Sequence, residues 1–320
     1  MQWWRDAVVY ELDVRSFSDS DGDGIGDLDG LRARLGYLEL LGIDVVWLEP
    51  TPIADRRTVD PLFGDLKAFD ALAETVREFR MRLAADLVRD NGSPVRHERP
   101  DRLRLAVGPG ALRATPFDAA AVQQAVRHSL ATRRETAWSL SHHDVSRPVT
   151  RYGGGAVGLA RAKAMALVTL ALPGTVHVYQ GEELGLHDAD LPAEARARVP
   201  LPWEDEQPGF GFTTGDPWLH PPACYAEKAV ARQLEDVTST LSLYRRAIEL
   251  RRTHVRGRGA TLEWYGAPPG CLAFRPEGSD LVCAFNTSDA AVFFPPGEIV
   301  LTSGDPAAPT LAPGTAAWLV

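Results

Sequence analysis

The sequence contains little cysteine, no long apolar run and no excess of positive charge, and each of these scarcities excludes a class of protein. Three cysteines among 320 residues are too few for a disulfide framework, so we expect free thiols in a reducing, cytoplasmic compartment. No apolar run reaches the ~18 residues of a membrane span, and the first residues lack the apolar core of a signal peptide. With 43 acidic against 34 basic residues the net charge is −9, and an acidic surface repels the phosphates of nucleic acid. The sequence therefore predicts neither a membrane partner nor a nucleic-acid partner.

What is present has the composition of an ordinary globular protein, with 45% hydrophobic and 24% charged residues. In the first part of the chain, short apolar runs alternate with stretches in which apolar residues recur at helical spacing. This alternation of strands and helices is typical of a parallel sheet with right-handed crossovers. We expect six parallel strands, beginning near residues 8, 44, 82, 103, 136 and 175, and helices over 28–41, 66–79, 118–132, 156–171 and 241–252.

The pattern changes from about Gly257 onwards. Short runs of β-forming residues are separated there by Gly, Pro, Ser and Asp, which is typical of an antiparallel β module. The preceding residues 187–239 are rich in Pro, Trp and acidic residues and are predicted to run over the surface. The predicted domains are therefore an α/β domain over 1–256 and an antiparallel β module over 257–320.

An acidic loop precedes the first predicted helix. Its carboxylates stand at every second position, interleaved with glycine, a pattern that wraps oxygen atoms around a hard cation such as Ca²⁺. It is not an EF-hand, because glycine stands where an EF-hand needs glutamate. We expect a structural Ca²⁺ site and no organic cofactor, and the alternative is a solvated acidic turn that caps the helix. The expected ligands are the carboxylates of Asp19, Asp21, Asp23 and Asp27 and the carbonyl oxygen of Ile25.

A second polar cluster consists of His142, His143, Asp144 and Arg147 and follows a predicted strand. In a parallel barrel the carboxyl ends of the strands carry the functional residues. A histidine–aspartate pair at such a place can hold a sugar hydroxyl and set a carboxylate under a developing positive charge. One alternative is a pair that only satisfies itself within a loop. The other is a zinc site, which adjacent residues rarely form.

Two motifs are distinctive, Asp-Ser-Asp-Gly-Asp-Gly-Ile-Gly-Asp at 19–27 and Tyr-Gln-Gly-Glu-Glu-Leu-Gly at 179–185. Together with the stretches at 3–10, 15–17, 41–48, 60–64, 86–88 and 141–147, they closely resemble the α-amylase superfamily, glycoside hydrolase family 13. The branch of oligo-1,6-glucosidases and α-glucosidases is the most similar. The resemblance covers nearly the whole chain. It implies a TIM-type (β/α)₈ barrel with a C-terminal β-sandwich, and the acidic loop matches a metal site of that branch.

The resemblance also implies a mechanism. The family retains anomeric configuration with two carboxyls, a nucleophilic Asp at the end of the fourth strand and an acid/base Glu at the end of the fifth. A third residue, an Asp after the seventh strand, binds sugar hydroxyls and supports the transition state. That third role falls on Asp144, with His143 beside it and Arg147 following.

The sequence departs from the family where the catalytic pair should stand. Only the polar stretch 89–102 separates the third predicted strand, 82–88, from the strand at 103–107 that resembles the family's sixth. We find no Arg-x-Asp motif of a fourth strand and no glutamate that matches the fifth. The expected fold is therefore a truncated (β/α) barrel of six strands with a C-terminal antiparallel β-sandwich. Because an open sheet edge invites pairing, we also expect a homodimer that covers it.

Further departures concern the same sugar-binding pocket. Asn91 stands where the family has a sugar-binding histidine, His142 where it has asparagine, and Glu49 where it has serine. A carboxylate at a strand end is costly unless it is used or paired. Glu49 is therefore either a re-sited catalytic group or an ion-pair partner of Arg15 or Arg89.

Three hypotheses about function follow, because hydrolysis without the nucleophile and the acid loses most of its transition-state stabilisation. The leading one is a repurposed enzyme of a biosynthetic pathway, an isomerase, lyase or cyclase that performs acid–base chemistry on a sugar-like or other small molecule. The alternatives are a non-catalytic binding or scaffold protein and an α-glucosidase with re-sited carboxylates, Glu49 and Asp144. The expected catalytic residues are Asp144, His143, Glu49 and Asp86, and the expected substrate-binding residues are Arg147, His142, Asp13, Asn91 and Glu182.

Overall fold

The computed structural model describes residues 3–49, 53–55, 58–85, 87–88, 94–95, 112–132, 136–257 and 259–320. The strand predicted at 103–107 and the candidate site residues Asp86 and Asn91 lie outside the described residues. Among the residues described, no helix is both long enough and apolar enough to cross a membrane.

The chain divides into two compact units. The first unit comprises Val8–Arg104 and Val178–Leu241, and the second comprises Met1–Ala7, Leu105–His177 and Ser242–Val320. The domain boundary expected after residue 256 stays a prediction.

The strands are β1 (Val8–Leu12), β2 (Val45–Leu48), β3 (Ile53–Asp55), β4 (Thr58–Val59), β5 (Arg82–Ala85), β6 (Leu87–Val88), β7 (Pro94–Val95), β8 (Ala137–Ser139), β9 (Thr175–Tyr179), β10 (Leu262–Tyr265), β11 (Cys271–Pro276), β12 (Val282–Asn286), β13 (Ile299–Thr302) and β14 (Thr315–Leu319). One sheet has the strand order β5-β2-β1-β9-β8, a second has the order β10-β11-β12-β14-β13, and β3-β4 and β6-β7 are short two-stranded ladders.

The helices are α1 (Leu28–Ala33), α2 (Leu35–Leu41), α3 (Leu66–Glu78), α4 (Ala119–Thr132), α5 (Pro148–Arg151), α6 (Gly155–Ala171), α7 (Val230–Glu235) and α8 (Thr240–His254). Short 3-10 turns lie at Trp3–Asp6, Val14–Ser16, Pro208–Gly211 and Ala223–Lys228.

The first unit is built on parallel strands. β1 pairs with β2, with Val9 opposite Val45, and β2 pairs with β5, with Val45 opposite Arg82. All residues of β1 and β2 are buried, as expected for parallel strands that are covered on both faces. Together with the parallel strands β8 and β9 of the same sheet, five of the six predicted parallel strands are confirmed. The sixth falls outside the described residues.

Two helices of the first unit, α1 and α3, begin at aspartate caps. Asp27 and Asp65 each accept a hydrogen bond from the backbone amide three residues further on, at 2.7 and 2.8 Å, and so begin α1 and α3. The prediction of a single helix over 28–41 is wrong. The segment is divided into α1 and α2 at Arg34, which has a non-helical φ of −102° and ψ of 6°.

The second unit contains the other parallel pair, β8 and β9, with Trp138 opposite Val176. Trp138 is buried, and its indole donates to the carbonyl oxygen of Pro173 at 2.6 Å. Arg251 of α8 is also buried and donates to the carbonyl oxygens of Leu170 and Leu172, both at 2.6 Å, and to that of Gly174. A cation in this position satisfies the carbonyl groups at the C-terminal end of α6.

The predicted antiparallel module is confirmed, but its described strands form one five-stranded sheet and not the two facing sheets of a sandwich. Helix α6 packs against β12 and β14, and the Trp318 indole donates to the carbonyl oxygen of Leu167 in α6 at 3.0 Å. The helix therefore covers a face that a second sheet would otherwise cover. Within the same module, Val292 and Leu311 form an isolated antiparallel bridge.

Candidate functional site

The polar cluster that follows β8 is a tight turn of the second unit. His142 and Val145 form an antiparallel bridge, and the Val145 amide donates to the His142 carbonyl oxygen at 3.0 Å. His143 and Asp144 are the two central residues of this turn. The two central residues of the turn are thus the two that the sequence predicted as catalytic residues at the end of this strand.

Two arginines support the turn from α5. Arg147 is fully buried and immediately precedes α5. Arg151 lies within α5 and donates to the carbonyl oxygens of Leu140 and Ser146, both at 2.8 Å. Leu140 and Ser146 stand on either side of the turn, so Arg151 fixes the separation of the two ends of the turn. Arg147 is buried beside the turn, and its predicted role in substrate binding stays a prediction.

The Asp144 carboxylate lies against two imidazole rings. Nε2 of His143 is 3.0 Å from Oδ1, and Nδ1 of His142 is 3.7 Å from Oδ2. The two ring centroids are 3.7 Å apart. The side chain of Asp144 is 67% exposed, against 14% for His142 and 17% for His143. The carboxylate is therefore accessible to a ligand, while the imidazoles are held by their surroundings.

This arrangement is suited to proton transfer. An imidazole exchanges protons near neutral pH, and a carboxylate in contact with it orients the ring and stabilises the imidazolium form. Retaining glycoside hydrolysis needs a second carboxyl about 5–5.5 Å from the first. The turn 141–147 itself offers one carboxylate, that of Asp144, together with two imidazoles.

Asp13 follows β1 in the first unit, and it is a buried ion-pair partner. Its Oδ2 lies 3.1 Å from the Arg198 guanidinium, its Oδ1 accepts the Arg15 amide at 3.1 Å, and its own amide donates to the Gln180 side chain at 2.9 Å. Burial raises the pKa of Asp13, and the opposing charges of Arg198 and Arg15 only partly offset that effect. Both oxygens of Asp13 thus have protein donors, and its predicted role in substrate binding stays a prediction.

Two predicted glutamates stand at strand ends of the same unit. Glu49 directly follows β2, is half-buried, and its amide donates to the Leu12 carbonyl oxygen at 2.8 Å. Glu182 lies in the turn after β9, is buried, and its amide donates to the Tyr179 carbonyl oxygen at 2.9 Å. The strand-end positions are as the sequence predicts, and the roles in catalysis and binding stay predictions.

Glu183 is a buried carboxylate that is not among the residues predicted from the sequence. Its Oε1 accepts the hydroxyls of Tyr10 and Tyr37, each at 2.7 Å. Burial raises the pKa of Tyr37 well above its ordinary value, and the neighbouring charge of Glu183 adds to the rise. The two tyrosines are 173 and 146 residues away in sequence, so no local pattern could have indicated this contact.

The acidic loop of the first unit brings three of its four carboxylates together. Oxygen atoms of Asp19, Asp21 and Asp27 lie within 4.8 Å of one another. Asp23 is not part of this group; its Oδ1 accepts the Ile25 amide at 2.8 Å, and its role as a ligand stays a prediction. The Ile25 carbonyl as a ligand stays a prediction.

Asp19 and Asp21 differ in the number of hydrogen bonds that their carboxylates accept. Asp19 accepts the amides of Asp21, Gly22 and Gly24 at 2.8 to 3.0 Å and the hydroxyl of Thr213. Burial acts to raise the pKa of Asp19, but these hydrogen bonds outweigh it and hold the pKa below its ordinary value. The carboxylate is therefore kept ionised and fixed in place.

Asp21 has the opposite character. The Asp23 amide acts to lower the pKa of Asp21, but burial and the charges of Asp23, Asp19 and Asp27 together raise it. Like charges thus accumulate on an exposed side chain, and a hard cation with oxygen ligands is the group that relieves them. The residues of the loop fit Ca²⁺ on this ground.

Glycine allows the loop to close against a neighbouring segment. Gly24 has φ of +91°, and a Cβ at this position would lie 2.0 Å from the carbonyl oxygen of Asp216. Any other residue would clash with the backbone there and be strained at that φ. The glycines of the motif therefore bring the loop close to the segment that contains Thr213.

Comparison with known proteins identifies the family, and the matched share of a relative's length differs widely from one relative to another. The family model of the α-amylase catalytic domain matches residues 12–98 and 106–257, well over half of the chain. A probable α-glucosidase of Rhizobium meliloti is 23% identical over an alignment of 497 residues that covers 90% of each chain. Maltase A2 of Drosophila melanogaster is 40% identical over 103 residues, and the oligo-1,6-glucosidase of Bacillus cereus is 43% identical over 97 residues. These two matches span 18% and 17% of the length of the relative.

Solved structures with the same fold match over the full chain at low sequence identity. The α-glucosyl transfer enzyme XgtA superposes with a TM-score of 0.79 at 23% identity over the whole of both chains. The trehalulose synthase MutB of Pseudomonas mesoacidophila MX-45 gives a TM-score of 0.82 at 19% identity over 99% of both chains. At these identities the structures establish the fold alone. With the match to the family model, they show that the chain belongs to the α-amylase family, glycoside hydrolase family 13.

Proposed function

We propose that this member of the α-amylase family performs acid–base chemistry on a sugar-like substrate and does not hydrolyse α-glucosides by the retaining route. The observation that carries the proposal is the contact of 3.0 Å between His143 Nε2 and the Asp144 carboxylate, whose side chain is 67% exposed at the end of a parallel strand. The names of the relatives supply the substrate class, since they are glucosidases, maltases and sugar-transferring or sugar-isomerising enzymes.

Three observations support the absence of retaining hydrolysis. The sequence offers no counterpart of the nucleophile after a fourth strand or of the acid/base after a fifth. The match to the family model is interrupted between residues 98 and 106. The alignment with the R. meliloti protein is longer than this chain, so that relative carries segments which this chain lacks. On this proposal the missing segments include the two catalytic strands, and the barrel is a truncated one.

The proposed roles follow from proton chemistry. His143 takes a proton from the carbon next to a sugar carbonyl and returns it to the carbonyl carbon, while the hydroxyl proton of the first carbon passes through solvent to the carbonyl oxygen; the two transfers together are an aldose–ketose isomerisation. Asp144 orients the imidazole, stabilises its charged form and accepts a substrate hydroxyl. His142 stacks on His143 and limits the movement of the ring. Glu49, Asp86, Asn91 and Glu182 remain proposed contributors to the same chemistry or to binding.

Two accessory features belong to the proposal. Ca²⁺ held by Asp19, Asp21 and Asp27 would be structural, since the loop leads into α1, and no organic cofactor is needed for the proton transfer. A second copy of the chain would cover the sheet edge that the missing strands leave open. Light scattering of the purified protein with and without chelator tests both features together.

The experiment follows solvent deuterium. The protein is incubated in deuterated buffer with glucose, fructose, maltose and isomaltose, and NMR records deuterium uptake next to the carbonyl and any change of product. We expect uptake with wild-type protein and a loss of about 100-fold or more in His143→Gln and Asp144→Asn, since general acid–base groups contribute on the order of 10²–10⁴-fold. His254→Gln is the matched control, because His254 also pairs with an aspartate, Asp280, at 2.7 Å but lies elsewhere in the second unit.

Two other results would contradict the proposal in defined ways. Release of nitrophenol from a nitrophenyl α-glucoside, abolished by Glu49→Gln or Asp144→Asn, would indicate a glycosidase with re-sited carboxylates. Saturable sugar binding without deuterium uptake or product would indicate a binding protein.

A further inference from the structure

An exposed cysteine of the first unit lies beside a histidine that the proposed function does not use. Sγ of Cys224 is 3.2 Å from Nε2 of His187. The other two cysteines differ in environment: Cys271 is half-buried and Cys283 is buried. The sequence predicted three equivalent free thiols, and the structure distinguishes one of them by both exposure and a basic neighbour.

The hydrogen bond on the far side of the imidazole fixes its tautomer. Nδ1 of His187 is 2.7 Å from the carbonyl oxygen of Asp188. A carbonyl oxygen can only accept, so Nδ1 carries the proton of the neutral ring. Nε2 then has a free electron pair directed at the sulfur, and the Cys224 thiol is the donor. This is the geometry of a general base poised on a nucleophile.

The imidazole is also held in position by its neighbours. Tyr225 is fully buried, its ring meets that of His187 edge-on at 5.4 Å between centroids, and its hydroxyl donates to the His187 carbonyl oxygen. The Asp188 carboxylate lies 3.4 Å from Arg196, so it is the backbone carbonyl of Asp188 that orients the ring. Because these contacts already hold the His187 ring in place, little conformational entropy is lost when it acts as a base.

We propose that Cys224 is a nucleophilic thiol, with His187 as its general base, that undergoes exchange with low-molecular-mass disulfides. The thiolate sulfur attacks one sulfur of the disulfide, a new mixed disulfide bond forms on Cys224, and the original disulfide bond breaks. His187 takes the thiol proton through Nε2 and returns it to the departing thiolate, which leaves as a free thiol. The disulfide is the only co-reactant, and the exchange is reversible by a second thiol.

The remaining cysteines provide the contrast within the molecule. Burial raises the pKa of the Cys271 thiol, and it raises that of Cys283 far above the ordinary value. Both therefore stay protonated and are poor nucleophiles at neutral pH. His143 and Asp144 belong to the other unit, and neither Cys224 nor His187 has a role in the proposed reaction, so the exchange is a further activity.

The test uses oxidised glutathione on the folded protein, with intact mass and peptide mapping to locate the adduct. We expect one adduct on Cys224, none in Cys224→Ser, and an unchanged rate in Cys271→Ser. His187→Asn keeps a donor for the Asp188 carbonyl but removes the base, and His187→Gln places an amide beside the sulfur that cannot take up a proton. Both variants should react at least about tenfold more slowly at neutral pH.

The pH dependence separates a base from a merely structural neighbour. The ratio of the wild-type rate to either variant rate should be largest near neutral pH and should shrink in alkaline solution, where hydroxide ionises the thiol in every variant. Thermal unfolding confirms that the compared proteins are folded, and the wild-type adduct map needs no variant. An adduct on Cys271 or Cys283, or an equal rate for the wild type and the folded His187 variants at every pH, would overturn the proposal.

Discussion

The cation site in the acidic loop can be tested with two substitutions that change the net charge equally. Asp21→Asn removes a member of the group of three carboxylates, whereas Asp23→Asn removes a carboxylate that turns back to the Ile25 amide. Both residues are exposed and lie two positions apart in the same loop. The pair therefore isolates ligation from the general effect of one negative charge.

The expected magnitudes follow from binding linkage. Ca²⁺ at a hundred times its dissociation constant stabilises the folded state by about 2.7 kcal/mol, which is roughly 4 °C in the unfolding midpoint of a chain of this size. Loss of one of three charged ligands should weaken binding at least about tenfold, or about 1.4 kcal/mol. Without cation the sign reverses, because neighbouring charges raise the pKa of Asp21, and Asp21→Asn should then be at least as stable as the wild type.

The assay is thermal unfolding of wild type, Asp21→Asn and Asp23→Asn in chelator, in Mg²⁺ and in Ca²⁺. Wild type and Asp23→Asn should gain stability from Ca²⁺, and Asp21→Asn should lose most of that gain. Equal gains in Asp21→Asn and the wild type would show that this carboxylate is not a ligand. No gain in the wild type would mean that the loop is a helix-capping turn, which is the alternative that its sequence allows.

Other predictions concern stability. Tyr37→Phe removes one of two hydroxyls donated to buried Glu183 and should cost about 1–3 kcal/mol in urea unfolding; a change below a few tenths would show that Glu183 does not need both donors. Arg251→Met leaves the carbonyl groups at the end of α6 without their donor and should cost about 3 kcal/mol or more, so an unchanged midpoint would contradict the capping role. Thr213→Val removes a hydrogen bond that lowers the pKa of Asp19. A lowered carboxyl pKa stabilises the fold above the unfolded-state pKa, and this contribution is lost as pH falls through the folded-state pKa. The variant should therefore be less stable by about 1 kcal/mol or less at neutral pH and equal to the wild type in acid. A difference that grows in acid would refute this assignment.

The elements that the sequence predicted well are those with a local signal. β1, β2 and β9 are short, mainly apolar runs between polar breaks, and all of their residues are buried. The start of α3 follows from an aspartate that can cap only the residues directly after it. The turn at His143 and Asp144 was predicted because it comes directly after a strand. In each case the pattern and the structure it specifies lie within a few residues of each other.

The features that were missed depend on contacts between distant segments. Spacing identified the acidic loop, but the backbone turns decide which carboxylates come together, namely those of Asp19, Asp21 and Asp27. Glu183 could not be distinguished from Glu182, because its tyrosine partners lie far away in the chain. The second sheet of a sandwich was inferred from the family, and α6 covers part of the module instead. The pairing of Cys224 with His187 likewise joins residues 37 positions apart.

The central claim is that His143 and Asp144 transfer protons on a sugar while its glycosidic bond stays intact. Maltose in deuterated buffer tests it in one NMR experiment, because the same spectrum reports glucose release and deuterium uptake next to the carbonyl of the reducing unit. We predict uptake without glucose release, abolished in His143→Gln and retained in His254→Gln. Release of glucose, or uptake at the same rate in His143→Gln as in the wild type, would contradict the claim.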